Sequence, residues 1–120
     1  MAPITQYDTF TSPLAPAQVR ERVWQWFSAT VPFTVNVDTG DRLDIETGSQ
    51  AKMRLIGGAF IAASSLPTHT TVTMTPAGTG TQIQVWVKDT VGFGIKTGMK
   101  GKYATWLAQI VNGIRGAAAA

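Results

Sequence analysis

The chain has 120 residues, of which 44% are hydrophobic and 14% charged, and a formal net charge of +3. That length suits a single domain able to bury its own core, and that composition excludes a disordered chain. No cysteine and one histidine exclude a disulfide framework, thiol catalysis, cysteine-held zinc and the histidine pairs of common zinc and non-haem iron sites.

Met1 to Phe10 lacks the basic region and apolar core of a secretory signal. No apolar run approaches the roughly 20 residues of a membrane-spanning helix, so the expectation is a soluble, cytoplasmic protein. The charge is uneven. Met1 to Val87 carries five basic and six acidic residues, whereas Lys88, Lys96, Lys100, Lys102 and Arg115 face only Asp89 thereafter. A basic last third suits phosphate, an acidic surface or an anionic ligand, or simply solubilises the start of a helix.

Ile4 to Phe10 is rich in Thr, Tyr and Phe and predicts an edge strand. After the break at Ser12-Pro13, Pro16 suits the first turn of a helix, where its missing N–H is not needed. Val19, Val23, Trp26, Phe27 and Thr30 share one face of that helix, which is predicted over Pro16 to Ala29 and ended by Val31-Pro32. Phe33, Val35 and Val37 then alternate with polar residues, as do Leu43 with Ile45, and Ala51 with Met53 and Leu55. Turns at Asp38 to Asp41 and Thr47 to Ser49 join these runs, so three antiparallel strands with one dry face are expected.

Gly57-Gly58 predicts a bulge or bend, and Phe60 to Ser65 is ambiguous between strand and loop. Val72 and Met74, then Ile83, Val85 and Val87, form a hairpin around a loop at Pro76 to Gly80. Alternation places Trp86 on its outer side. Met99, Tyr103, Trp106, Leu107, Ile110 and Ile114 fall on one face of a last helix, predicted from about Thr97 to Ile114. The order is β-α-β-β-β-β-β-α: an α+β fold in which an antiparallel sheet of five to six strands grips a long C-terminal helix. Residues 1–116 form one domain, and the alanines 117–120, without a packing pattern, are expected to be a disordered or added end.

Few motifs carry chemistry. The stretch Gly92 to Lys102 has the glycines and lysines of a phosphate cradle, but neither the nucleoside-triphosphate spacing nor the dinucleotide pattern is met. What remains is a weak anion site at the helix start, using Lys96, Thr97 and Lys100. His69 is expected to be exposed or on an edge strand, and Asp38, Asp41, Asp44 and Glu46 to form a solvated hairpin face without the calcium-loop spacing. No metal and no cofactor is implied.

Tyr7-Asp8-Thr9-Phe10 followed by the Pro16 to Val19 helix start, the Gly48 to Leu55 strand and the Thr71 to Ile83 hairpin give the chain a texture similar to the START-like superfamily. It resembles a small member of the Bet v 1-type helix-grip proteins, lacking their extra short helix after the first. The resemblance implies an antiparallel sheet around a C-terminal helix, with a cavity for lipids, sterols, polyketides or other apolar molecules.

The expected function is therefore binding or carrying of a small hydrophobic molecule. Met53, Leu55, Val72, Met74, Val85, Met99, Tyr103, Trp106 and Ile110 are its expected contacts. Methionines suit irregular apolar guests. A cyclase or dehydratase in the same cavity is the alternative, and it needs an acid or base where the inward positions are almost all apolar. A nucleic-acid or membrane-surface module using Lys88, Lys96, Lys100 and Lys102 ranks below both, since only Trp86 offers an outer aromatic. The face around Trp86 is a candidate homodimer contact.

Overall fold

Proline at its first turn and a β-branched residue followed by proline at its end delimit the first helix, and they set the path of the whole chain. The computed structural model describes residues 5–48, 67–90 and 99–119, without the side chains of Met99, Lys100 and Lys102. Within these, β1 (Thr5–Ser12), α1 (Pro16–Thr30), β2 (Phe33–Asp38), β3 (Arg42–Thr47), β4 (Thr68–Ala77), β5 (Gly80–Asp89) and α2 (Met99–Ala117) follow one another. The strands form one sheet in the order β1-β5-β4-β3-β2, and every pairing is antiparallel.

This order puts β1 at one edge and β2 at the other, so α1 must carry the chain across the sheet. Its 15 residues give about 22 Å of helix, against roughly 19 Å for the four steps between five strands. The Gln18 side chain accepts from the Ala15 N–H at 3.1 Å, and the Val31 N–H closes the last turn on the Phe27 carbonyl at 3.0 Å. Val19, Val23 and Phe27 are fully buried as their spacing predicts, whereas Thr30 is exposed beyond the apolar stripe.

β4 and β5 make the longest ladder, from Thr68 opposite Asp89 to Ala77 opposite Gly80. Pro76 and Ala77 belong to the strand, so the loop is only Gly78-Thr79, tighter than the sequence suggests. Gly78 has φ 62°, the left-handed geometry that such two-residue hairpins require and that glycine adopts without strain. β3 pairs directly with β4, Thr47 opposite Thr68. The strand expected at Ala51 to Leu55, the bend at Gly57-Gly58 and the ambiguous run to Ser65 lie outside the described residues.

A bulge in β2 changes which side chains face the helices. Val35 lies opposite Ile45, but Val37 lies opposite Asp44 and Asp38 opposite Leu43. One extra residue on this strand thus turns Asp38 to the helix side, where Arg20 of α1 meets it through Nε at 2.7 Å from Oδ1. Asp38 is consequently not the free hairpin carboxylate its position suggests. The Arg20 guanidinium holds its carboxyl below the ordinary range. At the other edge Arg115 of α2 grips Asp8 of β1, Nε to Oδ2 at 3.1 Å, and lies over the Phe10 ring.

Both helices cover the same face. Leu43, Ile45, Val72, Met74, Ile83, Val85 and Val87 of the sheet pack with Val19, Val23 and Phe27 of α1 and with Tyr103, Trp106, Leu107, Ile110 and Ile114 of α2 in one core. The helices meet where Gly113 faces Trp26, and a Cβ at that glycine would overlap the indole ring. Ala117 and Ala118 are not loose: α2 runs through Ala117, Ala118 is 1% exposed, and its carbonyl accepts from the Ser12 hydroxyl. A backbone carbonyl held in this way leaves no mark in the sequence.

Candidate functional site

The inner layer between the sheet and α2 is apolar at one end and polar at the other. Val72, Met74, Val85, Tyr103, Trp106 and Ile110, all expected to point inward, are brought together there, each 5% exposed or less. Met53, Leu55, Lys96 and Thr97 lie outside the described residues, as do the side chains of Met99 and Lys100.

The polar end comes from continuing the same alternation. On β4 the inward phase of Met74 and Val72 passes back to Thr70 and Thr68, and on β5 that of Val87 passes on to Asp89. All three are buried, together with Thr47 of β3. The hydroxyls of Thr47 and Thr68 hydrogen-bond to each other, and the Tyr103 hydroxyl donates to the Pro67 carbonyl at 3.1 Å. Burial, with the charge of Asp89 added, raises the Tyr103 pKa far above the usual value, which keeps the phenol neutral.

Sequence reasoning missed this polar end. Its only signal was parity: Thr68, Thr70 and Asp89 share the phase of the apolar residues. Among the described residues, two buried atoms of the core have no hydrogen-bond partner, Thr70 Oγ1 and Trp106 Nε1. A buried donor left unpaired costs about 1–3 kcal/mol.

The outer face corrects two expectations. Asp44 was to lie on a solvated face, yet it is 5% exposed. It accepts from the Thr71 hydroxyl at 2.8 Å and lies 3.0 Å from Arg42 Nη2 and 3.4 Å from His69 Nε2. Burial raises its pKa, but these three partners outweigh that and leave it below the ordinary 3.8. His69 is on β4, a central strand rather than an edge, with Nδ1 3.8 Å from Glu46. Tall neighbours on adjacent strands cover Asp44, and alternation assigns a face without giving depth.

Above Asp44 is a hollow of about 390 Å³ lined by Thr5, Arg42, His69, Thr71, Trp86 and Lys88. Trp86 is 56% exposed and meets the equally exposed Tyr7 edge-on, with ring centres 6.1 Å apart.

No protein-family model matches the sequence, and no curated protein does. Solved structures do. Protein MLL2253 from Mesorhizobium loti is 14% identical over 95% of this chain and 96% of its own, with a TM-score of 0.59. Ara h 8.0201 is 15% identical over 96% of this chain and 97% of its own, with a TM-score of 0.53. The fold is the START-like, Bet v 1-type helix grip. Near-complete coverage on both sides means that the likeness extends over the whole order of elements, from β1 to the gripped α2. At these identities the likeness concerns the fold, and function must be argued from the site. Among the described residues no helix of this helix-grip protein is long and apolar enough to cross a membrane.

Proposed function

We propose that this helix-grip protein binds and carries a small hydrophobic molecule with one hydrogen-bonding group, held between the sheet and α2. Val72, Met74, Val85, Tyr103, Trp106 and Ile110 supply the apolar contacts, and Met53, Leu55 and Met99 join them on the sequence pattern. The carrying observation is that Trp106 Nε1 and Thr70 Oγ1, both buried, have no hydrogen-bond partner among the described residues. An apolar guest needs only contact area. A guest with a carbonyl or hydroxyl also satisfies these atoms, which fits small-molecule sites that are mostly apolar with a few polar groups. Lys96, Thr97 and Lys100, on the sequence pattern the anion site of this stretch, take the acidic head of an amphipathic guest.

Native mass spectrometry of freshly purified protein tests the reading, together with titration of a fluorescent fatty acid. A co-purified apolar molecule and saturable uptake of the probe are expected. Trp106→Phe should weaken a ligand bearing a carbonyl about fivefold, the value of one hydrogen bond, and leave its hydrocarbon analogue unchanged. Replacing Lys96 and Lys100 with Gln should weaken a fatty acid more than its neutral alcohol. A protein that emerges empty and takes up no probe overturns the proposal.

A further inference from the structure

The hollow on the outer face of the sheet is separated from the inner layer by the sheet itself, and the proposal above makes no use of it. Its walls follow from the register. Trp86 lies opposite Thr71, which lies opposite Asp44, while Lys88 lies opposite His69. Short threonines, Thr71 and Thr5, make the floor between the taller Trp86, Lys88, His69 and Arg42. Its volume of about 390 Å³ falls in the range of small-molecule sites.

Among the described residues, the lining holds two permanent cations, one histidine and no carboxylate. Asp44 beneath it is buried and already engaged by Thr71, Arg42 and His69, and the exposed Glu46 stands to one side, 3.8 Å from His69 Nδ1. Lys88 makes no ion pair among the described residues, and half of the Arg42 side chain is exposed. Asp44 thus orients Arg42 and His69 while leaving the outer side of the guanidinium free for a ligand. Beside them stands Trp86, braced by Tyr7. Trp86 and Lys88 are two positions apart on one face, so about 7 Å separates them, and one small molecule can touch both.

We infer that this hollow binds a small planar aromatic anion, its ring against the Trp86 indole and its acidic group against Lys88 and Arg42. Base–aromatic stacking and charge-assisted hydrogen bonds are the interactions such walls offer. A second copy of the chain fits less well, because a two-fold contact centred here brings the same cations together.

Adenosine monophosphate is the probe, with adenosine and inorganic phosphate as controls, followed by two-dimensional NMR of the full chain. Resonances of Trp86, Lys88 and Thr71 should shift saturably. Trp86→Ala should weaken the nucleotide about tenfold, as loss of one stacked ring does. Lys88→Gln should weaken the nucleotide about fivefold and leave adenosine unchanged, and Trp106→Phe should change neither. Trp86 is exposed, so its variants fold, and circular dichroism verifies this. The inference is overturned by no shift at millimolar nucleotide, by binding that survives Trp86→Ala, or by inorganic phosphate binding as well as the nucleotide. A dimer dispersed by Trp86→Ala without any nucleotide effect also overturns it. Because the inner layer is untouched, failure here leaves the carrier reading intact, and failure of that reading leaves this one.

Discussion

Trp86 and Trp106 stand on opposite sides of one sheet, and their surroundings differ in kind. Trp106 is 5% exposed within the apolar core, while Trp86 is 56% exposed among threonines and cations. The inner side is held by area removed from water, which is non-directional and tolerates any guest of suitable shape. The outer side gains little from area and is ordered by one buried carboxylate and its three partners. The guest proposed for the inner face would thus be selected by shape, and that proposed for the outer face by charge and ring geometry.

The largest expected effect tests that contrast with a single substitution type. Trp106→Ala should cost about 3–5 kcal/mol, as large core truncations do, whereas Trp86→Ala should stay within about 0.5 kcal/mol. Urea denaturation of both variants checks this, and similar losses would break the comparison. Next comes the seam between the helices. Gly113→Val places its side chain in the volume of the Trp26 indole, and overpacking of this kind costs about 1–3 kcal/mol. An unchanged melting temperature would mean that the helices are free to part there.

Asp44→Asn should also cost about 1–3 kcal/mol at pH 7, since Arg42 and His69 lose a buried charged acceptor. The folded pKa of Asp44 lies below its ordinary 3.8. Its stabilisation is therefore complete above that value and lost as the pH falls through the folded pKa. Acid unfolding curves should show a shallower limb for the variant below pH 3.8, and superimposable limbs would rule out a role for this carboxylate. The smallest effect is that of Tyr103→Phe, about 1 kcal/mol for the hydrogen bond to Pro67. Because the folded pKa is raised above 10.0, the wild type loses stability as the pH climbs past 10.0 while the phenylalanine variant does not. A Tyr7→Phe background leaves Tyr103 as the sole tyrosine, so ultraviolet titration reports on it directly.

The same contrast explains how much could be read from the chain. The inner apolar side chains, the extent of α1 and the β4–β5 hairpin follow from periods of 3.6 and 2, since a dry face leaves a repeating mark. Asp44, Thr68, Thr70 and Asp89 left none. A polar residue in an apolar phase looks like a mispaired strand, and one in the polar phase looks solvated, however deep its neighbours make it. Asp38 was misplaced because a bulge inserts a residue without a composition signature. Trp86 was read correctly as exposed, but the basic and imidazole side chains around it come from three strands and converge only through register.

The strand order carries a further consequence, for the way the chain acquires this shape. β1 is hydrogen-bonded to β5 and to no other described strand, so Asp8 must find Val85. Such distant pairing closes a long loop before any contact rewards it, which slows folding. The β4–β5 hairpin, closed by two residues, forms first at little entropic cost. On the ribosome β1 therefore waits until β5 has emerged, and a nascent chain released before Gly80 exposes β1 as an unpaired edge.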